Sequence, residues 1–180
     1  MNNLTPKSRQ VDITRGLPKT GQVTSYQDGD DGYYEAGWWK GRLNANNRER
    51  FIFKTIGGDD VAVDRATGLM WPTNCHSTAG NIDNTITWPN AIIYAEGLTF
   101  AGFSDWRLPN LKELFSIGDA FATPAPLVAG GFTLSNAFYW TSTTYANGTS
   151  NAYMVNFQDL SVLDSNKTGT PRMLCVRGGL

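Results

Sequence analysis

The chain has 180 residues, of which 12% are aromatic and 17% are charged, and its formal net charge at pH 7 is −1. This length suits one domain with a substantial core. A near-neutral chain with intermixed acidic and basic residues lacks the electrostatic footprint of a protein that binds nucleic acid or an anionic membrane. We therefore expect neither of these partners.

The first 17 residues are polar and aperiodic, which predicts an N-terminal arm at residues 1–17 before a single domain at residues 18–180. The sequence has no apolar run of signal-peptide length and none that could span a bilayer. These features predict production in the cytoplasm, and they suit assembly into a phage particle. The oligomeric state stays open.

An acidic cluster of Asp28, Asp30 and Asp31 lies before Gly32. An EF-hand loop needs an oxygen ligand at its fifth position and a glutamate at its twelfth. Counted from Asp28, those positions hold Gly32 and Trp39. We therefore predict an Asp/Gly turn rather than a calcium site.

The soft metal ligands of the chain are two cysteines, Cys75 and Cys175, and one histidine, His76. One histidine beside one cysteine is too few for a zinc coordination shell, so we predict no metal and no cofactor. Because no segment directs the chain to an oxidising compartment, we expect both cysteines to be buried thiols. A disulfide between them stays open.

Strand patterns dominate the region after residue 50. "FIFKTI" (51–56) alternates as a strand does, and "VAVDRATGLMWP" predicts a hairpin that turns between Asp64 and Gly68. The segment 73–86 is polar and predicts a loop.

Two short helices are predicted next. In "TWPNAIIYAEGL", Thr87 is placed to cap the helix, Pro89 is tolerated in the first turn, and Gly97 weakens the end. The residues predicted to share its inner face are Trp88, Ala91, Ile92 and Ala95.

The second helix follows "SDWRLPN" (104–110). Asn110 at the N-cap and Glu113 three residues later form a variant of the capping box, with Leu111, Leu114 and Phe115 predicted to face inward. The residues before it predict a buried Trp106 beside an Asp105–Arg107 pair that ties the loop to a nearby strand.

The C-terminal region predicts a β-meander. "FYWTSTTY", "AYMVNF", "LSVLD" and "RMLCVRG" are strand-like segments separated by Asn, Gly and Ser turns. Period-2 alternation predicts that four of their residues are buried: Trp140, Val155, Phe157 and Val176. Together with the two helices, these strands predict an α+β domain.

Motifs for catalysis are missing from the sequence. The single histidine has no identifiable acid to orient it, and no serine lies in a G-x-S-x-G elbow. "IGGDD" and "VAGGF" lack the lysine or the strand-to-helix setting of a phosphate loop. We therefore predict that the protein is not an enzyme.

Five motifs occur in a specific order along the chain: "ATGLMW", "TWPNAIIYAEGLTFAGFSDWRLPNLKEL", "YWTSTTYA", "AYMVNF" and "CVRGG". This series resembles the Lcl C-terminal domain family, a domain of unknown function in collagen-like adhesins and in many phage and bacterial proteins. The resemblance runs from about residue 18 to the end of the chain.

The resemblance implies a fold similar to C-type-lectin-like and formylglycine-generating-enzyme-like domains, with two helices around small sheets and long loops. It implies ligand or receptor binding rather than catalysis. Related uses are adhesion to sulfated polysaccharides and the variable proteins of diversity-generating retroelements, which mutate adenine-rich codons near the C-terminus.

The chain departs from the family pattern at three positions. Arg172 and Leu174 lie where the family commonly has an aromatic and a basic residue, and Leu160 lies in a turn that often carries glycine. Such changes fit retroelement diversification and also ordinary drift. The calcium-dependent sugar motifs of true C-type lectins do not occur, because "RLPN" lacks the leading carboxylate or amide.

Asn, Ser, Thr and Tyr recur in the C-terminal strands and turns, a mixture that paratopes use for contact area and adaptable hydrogen bonds. These residues, with two leucines and one arginine, are predicted to form one displayed ligand-binding surface: Tyr145, Asn147, Thr149, Asn151, Tyr153, Asn156, Gln158, Leu160, Leu163, Ser165, Asn166 and Arg172. The alternative is that they only fill turns and strand edges.

Three functional hypotheses follow. The first is a display domain that binds a protein or glycan on a cell surface, such as the hypervariable protein of a retroelement in a phage or bacterium. The second is an adhesin domain for acidic polysaccharide, which would need clustered cations, whereas residues 139–170 contain only Lys167. The third is an oxidase of the formylglycine-generating kind, with copper at the two cysteines.

Overall fold

The structure, a computed structural model, describes residues 20, 22, 24–34, 39–40, 43–44, 49–73, 81–82, 85–119 and 131–178. Within these ranges it has a mixed α+β architecture of short helices and small antiparallel sheets. The helices are α1 (Asp31–Tyr34), α2 (Trp88–Glu96) and α3 (Leu111–Ser116). The strands are β1 (Trp39–Lys40), β2 (Leu43–Asn44), β3 (Phe51–Ile56), β4 (Asp59–Asp64), β5 (Met70–Pro72), β6 (Asn81–Ile82), β7 (Phe138–Thr144), β8 (Asn151–Asn156), β9 (Val162–Asn166) and β10 (Met173–Leu174).

The acidic cluster forms a turn, as the sequence predicts. Gly29 has a φ of 88°, and the Asp30 carboxylate accepts hydrogen bonds from the backbone N–H groups of Tyr26 at 2.8 Å and Tyr33 at 2.9 Å. The bond from Tyr26 is the main reason that the pKa of Asp30 lies below its usual value. The same carboxylate caps the short helix α1, which the sequence did not predict.

The predicted hairpin is confirmed as the sheet β3–β4–β5. Its second turn closes through a bond from the Asp64 N–H to the Leu69 carbonyl at 2.7 Å, and Gly68 adopts a φ of 76°. Asp64 also accepts from the Ala66 N–H and the Thr67 hydroxyl, at 2.9 and 2.7 Å. This side chain therefore organises the "DRATG" turn.

A buried ion pair lies at the base of this hairpin. The Arg50 guanidinium donates two bonds to Asp64, at 2.9 and 2.7 Å, and both side chains are almost fully buried. Because the Ala66 N–H and the Thr67 hydroxyl also donate to Asp64, both of its carboxylate oxygens have the hydrogen bonds that a buried charge requires. The pair fixes where the chain enters β3.

The second sheet, β7–β8–β9, has a helix on each face. Tyr139 and Val155 pack with residues of and just after α3, including Leu114, whereas Trp140 and Ala152 pack with residues of α2. Consecutive strand residues point to opposite faces, so two separate core clusters form. The predicted burial of Trp140, Val155, Phe157 and Val176 is confirmed.

Helix α2 follows the prediction except at its start. Thr87 occupies the N-cap, but its side chain makes no capping hydrogen bond, and Pro89 lies in the first turn. Ala91 and Ala95 are fully buried. A hydrogen bond from the Trp88 N–H to the Lys167 carbonyl, at 3.1 Å, gives this first turn a tertiary partner.

Helix α3 begins with the predicted capping box. Asn110 accepts from the Glu113 N–H at 3.0 Å, and Glu113 accepts from the Asn110 N–H at 2.8 Å. Leu114 is fully buried. The prediction for Phe115 was wrong, because its side chain is 43% exposed: a helix of six residues has room to bury only a narrow stripe.

The C-terminal segment, residues 172–178, joins the two core clusters. Leu174 and Val176 belong to the cluster of α3, and Met173 and Cys175 to the cluster of α2. The strand β10 pairs with β6, a short strand inside the predicted polar loop. Cys175 is a buried free thiol, as expected, and Cys75 and His76 lie outside the described residues.

One ion pair and one side-chain hydrogen bond fasten this segment to the loop before α3. Arg177 binds Asp105 at 2.8 and 3.0 Å and lies 3.7 Å from the centre of the Phe103 ring. Arg107 binds Glu113 at 2.6 and 2.7 Å and donates to the Gly178 carbonyl at 2.9 Å. Each charge of the predicted Asp105–Arg107 pair therefore has a different partner, whereas the predicted burial of Trp106 is confirmed.

The Asp105–Arg177 pair predicts a pH-dependent contribution to stability. The hydrogen bonds from Arg177 hold the pKa of Asp105 below its usual value, so the contribution is present above the unfolded pKa of about 3.9 and is lost as the pH falls through the folded pKa. We expect Asp105→Asn to lower the free energy of unfolding at pH 7 by about 0.2–1 kcal/mol, because half of this carboxylate is exposed.

Urea unfolding at pH 7 and pH 3 measures this effect, and the difference between the variant and the native chain should shrink at pH 3. Asp28→Asn, which removes an exposed turn carboxylate far along the chain, is the matched control and should change stability by less than about 0.5 kcal/mol at pH 7. An equal loss at both pH values for Asp105→Asn would contradict the assignment.

Candidate functional site

A cluster of aromatic and polar side chains lies on the α3 face of the sheet β7–β8–β9, where the β7–β8 turn leaves the core. Tyr145 and Tyr153 meet edge to face, with ring centres 5.4 Å apart. The Asn147 amide lies 3.5 Å from the Tyr145 hydroxyl. Edge-to-face contact holds both rings in place, so their orientation is set before any ligand arrives.

Asn151 and Asp164 complete the cluster. The Asn151 amide donates to the Asp164 carboxylate at 2.7 Å, and its oxygen accepts from the Ser150 hydroxyl at 3.4 Å. The second carboxylate oxygen is a further acceptor of the cluster. Asp164 was not among the predicted site residues. Strand alternation places Asp164 on the same face of β9 as Val162. Only the register Tyr153↔Asp164 brings it to the tyrosines. We call Tyr145, Asn147, Asn151, Tyr153 and Asp164 the tyrosine surface.

The position of the tyrosine surface depends on an irregularity in β7. Between Trp140 and Thr144 four residue steps lie opposite the two steps from Met154 to Ala152. The Thr143 hydroxyl accepts from the first N–H of α3, that of Leu111, at 3.1 Å. Extra residues of this kind bend a strand, and the bond to Leu111 joins this part of β7 to the start of α3.

Three predicted residues lie elsewhere. Ser165 and Arg172 line a groove of about 270 Å³ on the α2 face, with Phe138 and Met154. Leu163 pairs with Met154 on this face and is 48% exposed. The predicted single surface is therefore divided between two faces of one sheet, because alternate strand residues point to opposite sides.

Lys167 lies at the same end of the sheet. Its ammonium group is 4.1 Å from the centre of the Trp88 ring and donates to the Thr144 hydroxyl at 3.0 Å. The ring and the hydroxyl hold the cation on the α2 face, away from the tyrosines.

Three further predicted residues lie in turns or at the end of a strand. Thr149, Gln158 and Asn166 are exposed, and the Asn166 side chain accepts from the Thr168 N–H and hydroxyl at 3.0 and 2.7 Å. Asn166 thus forms its own turn, which is the structural alternative that the sequence left open.

Two predicted surface residues, Asn156 and Leu160, are only 7% exposed, so their expected display was wrong. The Asn156 side chain accepts from the Gln158 N–H at 3.0 Å, and its carbonyl accepts from the Leu160 N–H at 2.8 Å. Leu160 has a φ of 58° and belongs to the core cluster of α3. The turn folds inward because burial of the leucine side chain removes apolar surface from water, which lowers the free energy of the folded state.

Leu160 packs so closely against Gly118 that a Cβ atom on Gly118 would overlap its two methyl groups. We expect Gly118→Ala to lower the free energy of unfolding by about 1–3 kcal/mol through overpacking, and Leu160→Ala to lower it by about 2–5 kcal/mol through the lost burial. The double variant should lose less than the sum, because the shortened side chain at position 160 leaves room for the new methyl group.

Urea unfolding of the native chain, both single variants and the double variant completes this cycle. Thr149→Ala, at an exposed turn position, is the control and should stay within about 0.5 kcal/mol of the native chain. Strictly additive losses would mean that residues 118 and 160 do not share one packing site.

Burial and a local turn set the pKa shifts of two titratable side chains, Cys175 and Asp159. Burial raises the pKa of the Cys175 thiol to about 12, so this sulfur is protonated at neutral pH and is a poor nucleophile. The hydroxyl and N–H of Ser161 hold the pKa of Asp159 below its usual value within a tight turn. No group of three potential metal-ligating side chains occurs among the described residues.

A second groove, of about 330 Å³, lies on the β3–β4 hairpin and is lined in part by Phe53, Thr55 and Asp60. Asp60 accepts from the Thr55 hydroxyl at 2.6 Å. Phe53 packs over Gly131, where a Cβ would lie 2.6 Å from its ring. Thr55 and Asp60 thus bond within the hairpin, whereas the tyrosine surface combines side chains of the β7–β8 turn with side chains of β8 and β9.

These features define a small α+β domain that carries an ordered aromatic and polar surface at one end of a helix-flanked sheet. The chain belongs to the Lcl C-terminal domain family, whose family model matches residues 60–177. The match extends from β4 to Arg177 and thus contains both helices of the sheet, the tyrosine surface and most of the C-terminal segment. A comparison with curated proteins gave no match. None of the described helices is both long and apolar enough to cross a membrane.

Proposed function

We propose that the protein is a non-enzymatic binding domain whose tyrosine surface takes a protein or glycan ligand on a cell surface. The observation that supports this most is the contact of Tyr145 with Tyr153 beside the Asn151–Asp164 hydrogen bond. Tyrosine offers a large contact area with few rotatable bonds to immobilise, and asparagine offers both a donor and an acceptor.

The polarity of the surface favours recognition over chemistry. A general acid or base needs a group whose pKa is matched to its task, and the tyrosine surface contains one carboxylate that is already bonded to an amide. The buried Cys175, with its raised pKa, is unsuited to bind copper as a thiolate. These observations support a binding domain over an oxidase of the formylglycine-generating kind.

An anionic polysaccharide fits less well. Such a ligand requires several clustered cations, and Lys167, which lies over Trp88, is the cation within residues 139–170. A ligand with hydroxyl, amide or apolar groups suits the available donors, acceptors and rings better.

We further propose a C-type-lectin-like fold and a role as the variable protein of a retroelement in a phage or bacterium. The bridge between Met70 and Arg177, which brings an early strand to the end of the chain, supports the fold assignment. The recurrence of Asn, Ser and Tyr between residues 145 and 166, with Asn147, Ser150 and Asn166 exposed, supports diversification, since adenine-rich asparagine codons can change into many others.

The binding proposal predicts that the native domain binds some members of an array of cell-surface glycans and intact bacterial cells. Tyr145→Ser with Tyr153→Ser should weaken that binding at least about tenfold, because buried interface tyrosines commonly contribute about 2 kcal/mol or more. The matched control is Tyr26→Ser with Tyr33→Ser, which removes two tyrosines that are 78% and 60% exposed elsewhere.

Retained binding in the control and loss in the Tyr145/Tyr153 variant would support the proposal. Equal binding by both variants would place the ligand site elsewhere, and a native domain that binds none of the glycans or cells would contradict the function itself.

The retroelement proposal is tested on DNA. We expect a near-copy of the region that encodes residues 138–179, differing at adenines of the template, near a reverse transcriptase gene. A locus without such a repeat would contradict diversification while leaving the binding proposal intact.

A further inference from the structure

Strand β9 lies at the edge of the sheet β7–β8–β9. On one side it pairs with β8 from Val162 to Asn166. Along its other side, none of the segments that the structure describes forms a strand pair with it. An edge of this kind presents a row of backbone donors and acceptors to solvent.

The hydrogen-bond pattern shows which backbone groups point outward. The N–H of Asn156 bonds to the Ser161 carbonyl at 2.9 Å, and the N–H of Lys167 bonds to the Ser150 carbonyl at 2.9 Å. In an antiparallel pair, bonded and non-bonded residue pairs alternate, so Leu163 and Ser165 bond to β8. The N–H and C=O groups of Val162 and Asp164 therefore point away from the sheet.

The edge strand exposes apolar side chains that a second strand could cover. Val162 is 37% exposed and Leu163 is 48% exposed. Natural edges are commonly protected by proline, by charged side chains, especially lysine, or by a bulge. The sequence "VLDSN" of β9 has one charged residue, Asp164, but no proline or lysine, and its pairing with β8 is regular.

We propose that the edge of β9 pairs with β9 of a second copy of this chain, in an antiparallel arrangement with Leu163 on the two-fold axis. In this register Val162 of each copy bonds to Asp164 of the other through the outward backbone groups. Leu163 meets its own equivalent on the α2 face, as a non-bonded pair with Cα atoms about 4.5 Å apart.

The outward groups of Val162 and Asp164 allow two other two-fold registers; the carbonyl of Asn166, which also points outward, already accepts from the Gly169 N–H at 2.7 Å. A register centred on Val162 places Asp164 opposite Leu160, which lies in the turn before β9, so fewer residues bond. A register centred on Asp164 places two carboxylates directly opposite each other, which is unfavourable in a strand pair. The Leu163 register instead removes two exposed leucine side chains from water. It is self-complementary, as a two-fold interface must be.

The pairing has a consequence for binding. A two-fold axis between antiparallel edge strands is perpendicular to the sheet, so the same face of each copy lies on the same side. The two tyrosine surfaces would then face one target from a continuous six-stranded sheet, the three strands of each copy joined edge to edge. Two linked sites gain avidity without any new ligand contact.

Sedimentation of the full chain over a range of concentrations tests the pairing. We expect the native chain to form a dimer that dissociates on dilution, and Leu163→Lys to raise its dissociation constant at least about tenfold, a loss of about 1.4 kcal/mol. Ile93→Lys is the matched control, because it replaces a 68% exposed apolar residue on α2 with the same cation. This control should dimerise as the native chain does.

Cross-linking tests the register. Leu163→Cys should form a disulfide-linked dimer under mild oxidation, because the expected Cα separation lies within the range of about 4.4–6.8 Å that a disulfide spans. Ile93→Cys and the native chain, which both retain Cys75 and Cys175, should not.

A native chain that stays monomeric at the highest concentration would overturn the proposal. So would equal dimerisation of Leu163→Lys and the native chain, which would place the interface on another surface. Cross-linking of Leu163→Cys no faster than that of Ile93→Cys would overturn the register.

Discussion

The structure depends on the alternation of side chains along the C-terminal segment. Met173 and Cys175 enter the core cluster of α2, while Leu174 and Val176 enter the cluster of α3. The backbone of the same segment bonds to β6, to β7, to Met70 of β5 and to Arg107 in the loop before α3. A strand buried on both sides must satisfy all its polar groups, so this segment fixes the elements around it relative to one another.

The tyrosine surface lies at the end of the sheet that this framework holds. Residues of a helix pack against each face, and Tyr145 directly follows the irregularity in β7. The rings of Tyr145 and Tyr153 support each other, and the Asn151–Asp164 bond spans two strands. A rigid scaffold with polar groups on its turns is a common arrangement for recognition, and the proposed pairing through β9 would duplicate it without altering the surface.

Local patterns in the sequence predicted local structure well. The Asp64–Gly68 turn and the Asn110–Glu113 capping box formed because their bonds join residues only a few positions apart. Strand alternation also predicted which aromatics are buried. Two failures are local, the exposed Phe115 and the missing side-chain cap at Thr87. The others concern partners that are distant in sequence: Arg177 for Asp105, β10 for β6, and Gly118 for Leu160. No local pattern specifies such pairs, since each arises from the packing of complete elements.

For the candidate site, the sequence by itself determined composition: a C-terminal region of short strands with Tyr and Asn at their ends, and the family to which the chain belongs. Tertiary structure decided which of those residues meet. Strand register brought Asp164 to Tyr153, the two faces of the sheet separated Ser165 and Arg172 from the tyrosines, and the inward fold of one turn buried Leu160. The physical reason is that alternation assigns residues to faces, but only packing determines which part of each face stays in solvent.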